Sequence, residues 1–90
     1  MTRLHVLATG LVQGVGFRWF VRETARQLDL AGWVLNRSDG SVEVMAEGPA
    51  SGIAALRAAL AEGPAGARVE GVRDLPDESE PLSRPFGVER

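Results

Sequence analysis

The spacing of apolar residues in this chain switches from two to about 3.6 and back, twice over, and that order constrains the fold more than any single motif. Leu4, Val6 and Ala8 alternate with Arg3, His5 and Thr9, so the run to Val12 reads as a strand despite Leu7. A glycine-rich loop, Gln13-Gly14-Val15-Gly16-Phe17, follows. Phe17, Val21, Ala25 and Leu28 then recur at helical spacing, with Arg22, Glu23, Arg26 and Asp29 off the stripe. This predicts an amphipathic helix from Arg18 to Leu30, punctuated by Gly32. Trp33 to Asn36 is a short apolar strand, and Ser38-Asp39-Gly40 a hairpin turn whose glycine can take a positive φ. Val42, Val44 and Ala46 alternate with Ser41, Glu43 and Glu47, as in a half-buried strand with its polar face in water.

The second half repeats the order. Pro49 suits the first turn of a helix that carries Ile53, Leu56 and Leu60 on one face and stops at Gly63-Pro64. Ala67 and Val69 oppose Arg68 and Glu70 in a fourth strand, whose pattern slips at Gly71-Val72 and so predicts a bulge. Asp74 to Pro85 is rich in proline and acidic residues and reads as an exposed loop. Phe86 to Glu89 has the length for a short last edge strand. Strand–helix–strand twice over, joined by a hairpin, packs as an α+β, ferredoxin-like βαββαβ sandwich with both helices on one face of an antiparallel sheet. At 90 residues, 44% of them apolar, the chain is expected to form a single domain over residues 1–90.

Composition removes whole classes of chemistry. The chain has no cysteine and one histidine, which excludes disulfides, thiolate metal sites, cysteine nucleophiles and multi-histidine sites. All ten basic residues are arginine, so neither a Schiff-base lysine nor a Walker-type lysine exists. A net charge of −2 argues against a nucleic-acid partner. No apolar run approaches the roughly 18 residues of a membrane span, and Met1 to Val12 lacks the marks of a signal peptide. A cytoplasmic protein with no membrane partner is expected.

The segment Gly10-Leu11-Val12-Gln13-Gly14-Val15-Gly16-Phe17-Arg18 is where chemistry can live. Backbone N–H groups of a glycine-rich turn can converge on an anion, and the helix that follows adds its dipole. Arg18 stands where its fork can take two oxygens of one phosphoryl group. Such a loop taken alone is more often a tight turn with a solvated arginine. It is no dinucleotide fingerprint, because Trp19 stands where a third glycine belongs.

The second segment is Gly32-Trp33-Val34-Leu35-Asn36-Arg37-Ser38-Asp39-Gly40-Ser41-Val42-Glu43. Together the two segments resemble the signature blocks of the acylphosphatase family. The first matches Gly-x-Val-Gln-Gly-Val-x-Phe-Arg at every fixed position. The second matches Gly-Trp-Val-x-Asn, leading into an Asp-Gly turn and a Val-Glu strand. Glu47-Gly48-Pro49 and the stretch from Gly63-Pro64 to Glu70 follow the same layout, so the resemblance runs from Leu4 to Val88. It implies hydrolysis of acyl phosphates to a carboxylate and inorganic phosphate, without metal or cofactor. It implies that Gln13, Gly14, Val15, Gly16, Phe17 and Arg18 hold the phosphoryl oxygens, and that Asn36 orients the attacking water. Its partners would be a small-molecule acyl phosphate and inorganic phosphate, the latter as product and competitive inhibitor, acting on a monomer.

The chemistry suits so sparse a set of groups. The leaving carboxylate has a conjugate acid of pKa about 4, so no general acid is needed. An amide such as that of Asn36 can accept from a water and donate to an oxygen at once, but is no base. His5 lies roughly 23 Å along the strand from the loop and is read as structural or surface. Asp39 and Glu43 are read as turn and solvent-facing groups, and Trp19, Phe20 and Trp33 as core or rim rather than substrate-stacking groups. Two other readings stand beside this one. A carbamoyl-phosphate-handling module would be expected in a larger polypeptide with a zinc-finger extension, which this sequence does not carry. A non-enzymatic ligand- or RNA-binding domain would display aromatics on its central strands, where Leu7, Thr9, Glu43 and Met45 are read instead.

Overall fold

A computed structural model describes residues 1–89. The elements run β1 (Thr2–Leu11), α1 (Phe17–Gln27), β2 (Ala31–Asn36), β3 (Val42–Gly48), α2 (Ala50–Glu62), β4 (Arg68–Asp74) and β5 (Gly87–Glu89). They form one sheet in the order β4-β1-β3-β2-β5, in which β1, β2, β3 and β4 pair antiparallel. This is the expected ferredoxin-like sandwich with one correction. β5 pairs parallel to β2, so the sheet is mixed. The reason lies in its approach: the chain leaves β4 at one edge, crosses the sheet and turns back at the other edge.

The alternations read from the sequence follow the burial. Leu4, Val6 and Ala8 of β1 and Val42, Val44 and Ala46 of β3 are buried together with Phe17, Val21 and Ala25 of α1 and Ile53, Leu56 and Leu60 of α2. Phe86, just before β5, is fully buried in the same core, which at about 1.5–3 kcal/mol for such a side chain anchors the C-terminal segment. The first helix ends earlier than its stripe suggested. Asp29 takes a left-handed φ of 55°, and Leu30 N–H donates to Ala25 O at 2.9 Å, closing the helix before Gly32. The bulge falls on Glu70, one residue before the predicted slip, since Thr9 pairs with Gly71 and Gly10 with Val69.

The segment after β4 is more than an exposed loop. It straps the sheet face opposite the helices. Leu75 N–H donates to His5 O at 2.8 Å, and Arg3 donates to Glu78 O and Glu80 O at 3.0 and 2.8 Å. Trp33 Nε1 donates to Glu80 at 3.2 Å, and Gly32 N–H to Ser83 O at 3.0 Å. Beneath it His5 Nε2 lies 2.6 Å from Glu43 Oε2, and Nδ1 lies 2.6 Å from Pro76 O. Glu43 therefore does not face solvent as expected: its side chain is 14% exposed and also takes a bond from Arg37. Trp33 shares this face through the Trp33–Met45–His5 register, but the strap occupies the surface that a bound base would need.

Candidate active site

β1 and α1 meet at a turn in which Gly14 and Gly16 both take left-handed backbone angles, φ 75° and 77°. An L side chain at either would strain the backbone, yet a Cβ there would meet nothing within 4 Å. The backbone path requires the glycines, and they leave the space before the turn open. Gly16 caps α1 with no side-chain hydrogen bond, and the first turn of the helix holds no acidic residue. The first intrahelical bond runs from Phe20 N–H to Gly16 O, so the preceding N–H groups keep their donors free at the positive end of the helix.

Arg18 follows in that first turn. Arg3, Arg22, Arg37, Arg57 and Arg84 are each paired with a carboxylate, whereas Arg18 has no such partner among the described residues. Asn36 ends β2. Its Oδ1 is buried with no hydrogen-bond partner, the sole buried side-chain atom of that kind among the described residues. A buried, unpaired acceptor costs about 1–3 kcal/mol, and here it borders a cavity.

That cavity, about 270 Å³, brings the expected residues together: Gly14, Gly16, Phe17, Arg18 and Asn36 all line it. Val12, Trp19 and Val88 line it too; of these the sequence marks only Trp19, as core or rim rather than substrate-stacking. Gln13 and Val15 do not border it. Val15 packs against the core. Gln13 reaches across to the β2–β3 hairpin, where Nε2 donates to Arg37 O at 2.8 Å and to Ser41 O at 2.9 Å. Its side chain ties the glycine turn to the hairpin that carries Asn36. The hairpin is closed by Arg37 N–H to Ser41 O at 2.9 Å and by Asp39, whose Oδ1 accepts from the Ser41 N–H and hydroxyl. Those bonds, the hydroxyl first, hold the Asp39 carboxyl below the usual carboxylate range. His5 lies under the strap and does not line the cavity. Among the described residues, no three His, Asp or Glu side chains converge as metal ligands would.

The family model described as Acylphosphatase matches residues 4–87. The chain belongs to the acylphosphatase family. The acylphosphatase of Bifidobacterium longum is 47% identical over 90 residues, covering 98% of this chain and 92% of that one. The acylphosphatase of Koribacter versatilis is 58% identical over 66 residues, or 73% of this chain, which spans 60% of that relative. The crystal structure of acylphosphatase from Bacillus subtilis superposes with a TM-score of 0.91 at 36% identity, covering 100% of each chain. Within this acylphosphatase fold, β1 and α1 set the glycine turn and Arg18, and β2 sets Asn36 beside them. No helix among the described residues is long and apolar enough to cross a membrane.

Proposed function

We propose that this acylphosphatase hydrolyses acyl phosphates with the phosphoryl group held between the glycine turn and Arg18, and with Asn36 positioning the water. The non-bridging oxygens accept from the free N–H groups of the turn and the first turn of α1. The guanidinium of Arg18 takes two of them as a fork. Phosphoryl transfer asks chiefly for position and charge stabilisation, and a fixed donor of this kind is worth roughly 3–4 kcal/mol in the transition state. Water attacks phosphorus, the P–O bond to the acyl oxygen breaks, and a carboxylate leaves with its electron pair. The proton of the water passes to phosphate or solvent, since no titrating side chain is needed.

The observation that carries the reading is the orphaned Oδ1 of Asn36 on the cavity wall. An acceptor buried at a cost, beside a free arginine and an open N–H turn, is explained by a water that donates to it while facing the bound phosphoryl group. Inorganic phosphate, as product, competes for the same cradle.

Phosphate release from benzoyl phosphate, carbamoyl phosphate and a sugar phosphate tests this on one preparation. Turnover of benzoyl phosphate with little of the sugar phosphate is expected, because an alkoxide leaving group needs a proton donor that the cavity lacks. Comparable kcat/KM for the sugar phosphate refutes the mechanism. Turnover confined to carbamoyl phosphate assigns the site to that substrate instead.

A further inference from the structure

We propose that Trp19 and Val88 form an apolar shelf that receives the acyl group and gives this enzyme a preference for flat, apolar acyl phosphates. The inference rests on the acyl phosphate reading above and names the part of the substrate that the phosphate cradle leaves undefined. Two facts about Trp19 carry it. The chain has two Trp, three Phe and no Tyr. Phe17 and Phe86 are buried, Phe20 packs against the core, and Trp33 lies under the strap. Trp19 is the aromatic residue that stands in solvent, 58% exposed, and it does so on the wall of the cavity that holds Arg18 and Asn36.

The second wall is apolar as well. Val88, 37% exposed, reaches the cavity from β5. The exposed large apolar side chains of the described residues are Met1, Leu11, Trp19 and Val88, so two of them border one cavity. Scattered surface apolar residues need no explanation, but a cluster at the mouth of a polar site does. The Trp19 ring is also held in place. Arg22, one turn further along α1, sets its guanidinium carbon 4.7 Å from the ring centroid, a cation–π contact that helps hold the indole on the cavity wall.

Size agrees with this division. The cavity is about 270 Å³. At roughly 30 Å³ per oxygen-sized group, a phosphoryl centre with four oxygens takes up about 120 Å³. The remainder, roughly 150 Å³, holds the carbonyl end of an acyl group, and a larger ring extends from it over the exposed face of Trp19. A planar ring on Trp19 gains stacking beyond simple burial, whereas a methyl group reaches little of it.

The test compares kcat/KM for benzoyl phosphate and acetyl phosphate in the wild type, Trp19→Ala and Trp19→Phe. The two substrates share the phosphoryl group and a carboxylate leaving group, so their ratio isolates the acyl contact. Trp19→Ala is expected to lower the benzoyl-to-acetyl ratio about tenfold, chiefly by raising KM for benzoyl phosphate, and Trp19→Phe to recover most of it. A ratio unchanged in Trp19→Ala, with both substrates falling together or neither falling, overturns the shelf while leaving the hydrolase reading intact. A wild-type protein that cleaves neither substrate overturns the hydrolase reading and the shelf with it.

Discussion

Replacing Gln13 by alanine cuts the tie between the glycine turn and the hairpin that carries Asn36, and leaves both in place. The Nε2 group makes two bonds, 2.8 Å to Arg37 O and 2.9 Å to Ser41 O. Neither carbonyl is orphaned by the change: Arg37 O still accepts from Gly40 N–H and Ser41 O from Arg37 N–H. The fold therefore loses about 0.5–1.5 kcal/mol per bond, without a burial penalty on top. The two bonds together set the scale of the coupling at roughly 1–3 kcal/mol. If that energy holds Asn36 against the phosphoryl group in the transition state, kcat falls by roughly 5- to 150-fold, at 1.36 kcal/mol per decade. Phosphate binding uses the N–H turn and Arg18, so the inhibition constant of inorganic phosphate should move less than about twofold. Steady-state phosphate release from benzoyl phosphate, with and without added phosphate, reads both quantities. If kcat and phosphate affinity weaken by the same factor, Gln13 holds the phosphoryl group itself. If kcat falls by less than twofold, the tie positions nothing.

The remaining expectations concern single groups. Arg18→Lys should keep less than about a tenth of the wild-type kcat/KM, a loss above 1.4 kcal/mol, because an ammonium cannot fork; steady-state kinetics above that level would refute two-pronged binding. Asn36→Ala should collapse kcat while phosphate inhibition persists, and its melting temperature should hold, because no group among the described residues hydrogen-bonds to the Oδ1 that the change removes. A large thermal destabilisation would make Asn36 a structural residue. His5 should make stability fall as pH rises. Burial pushes its pKa down, but the bonds to Glu43 and Pro76 O and the Glu43 charge outweigh burial, and the net displacement is upward. A group raised in the folded state stabilises fully below its unfolded pKa of about 6.5 and loses that contribution as pH climbs through the folded value. Urea unfolding across neutral and alkaline pH should show this slope in the wild type and not in His5→Gln; equal slopes would refute it.

Much of the fold was legible because half-buried elements write their period into the sequence. Val42, Val44 and Ala46 face the helices, as their alternation said, and Phe17, Val21 and Ala25 form the buried stripe. Alternation cannot say what covers the other face. Glu43 looks solvent-facing by period, yet it is enclosed because a segment with no period of its own lies over it. Phe86 follows a polar, proline-rich stretch, and nothing local marks it rather than Leu82 or Val88 as the residue that enters the core. The parallel pairing of β5 rests on three residues and a long crossing, which leave no pattern. At the site, the glycine turn was readable from its place between strand and helix, but a functional reading of it and of Arg18 needed the motif, since such a loop alone is more often a tight turn with a solvated arginine. Asn36 was readable only through its motif, because an asparagine at a strand end is ordinarily a turn former. Val88 and Trp19 are far apart in the chain and border one cavity only because β5 lies against α1, and the role of Gln13 depends on two carbonyls that the hairpin brings within its reach.

The central claim is that water attacks phosphorus while the glycine turn and Arg18 hold the phosphoryl group. Hydrolysis of benzoyl phosphate in water enriched in oxygen-18, followed by mass analysis of both products, tests it in one measurement. Attack at phosphorus breaks the P–O bond and places one labelled oxygen in the inorganic phosphate, with none in the benzoate. Label in the benzoate would mean attack at the carbonyl carbon, and would contradict both the cradle and the role given to Asn36.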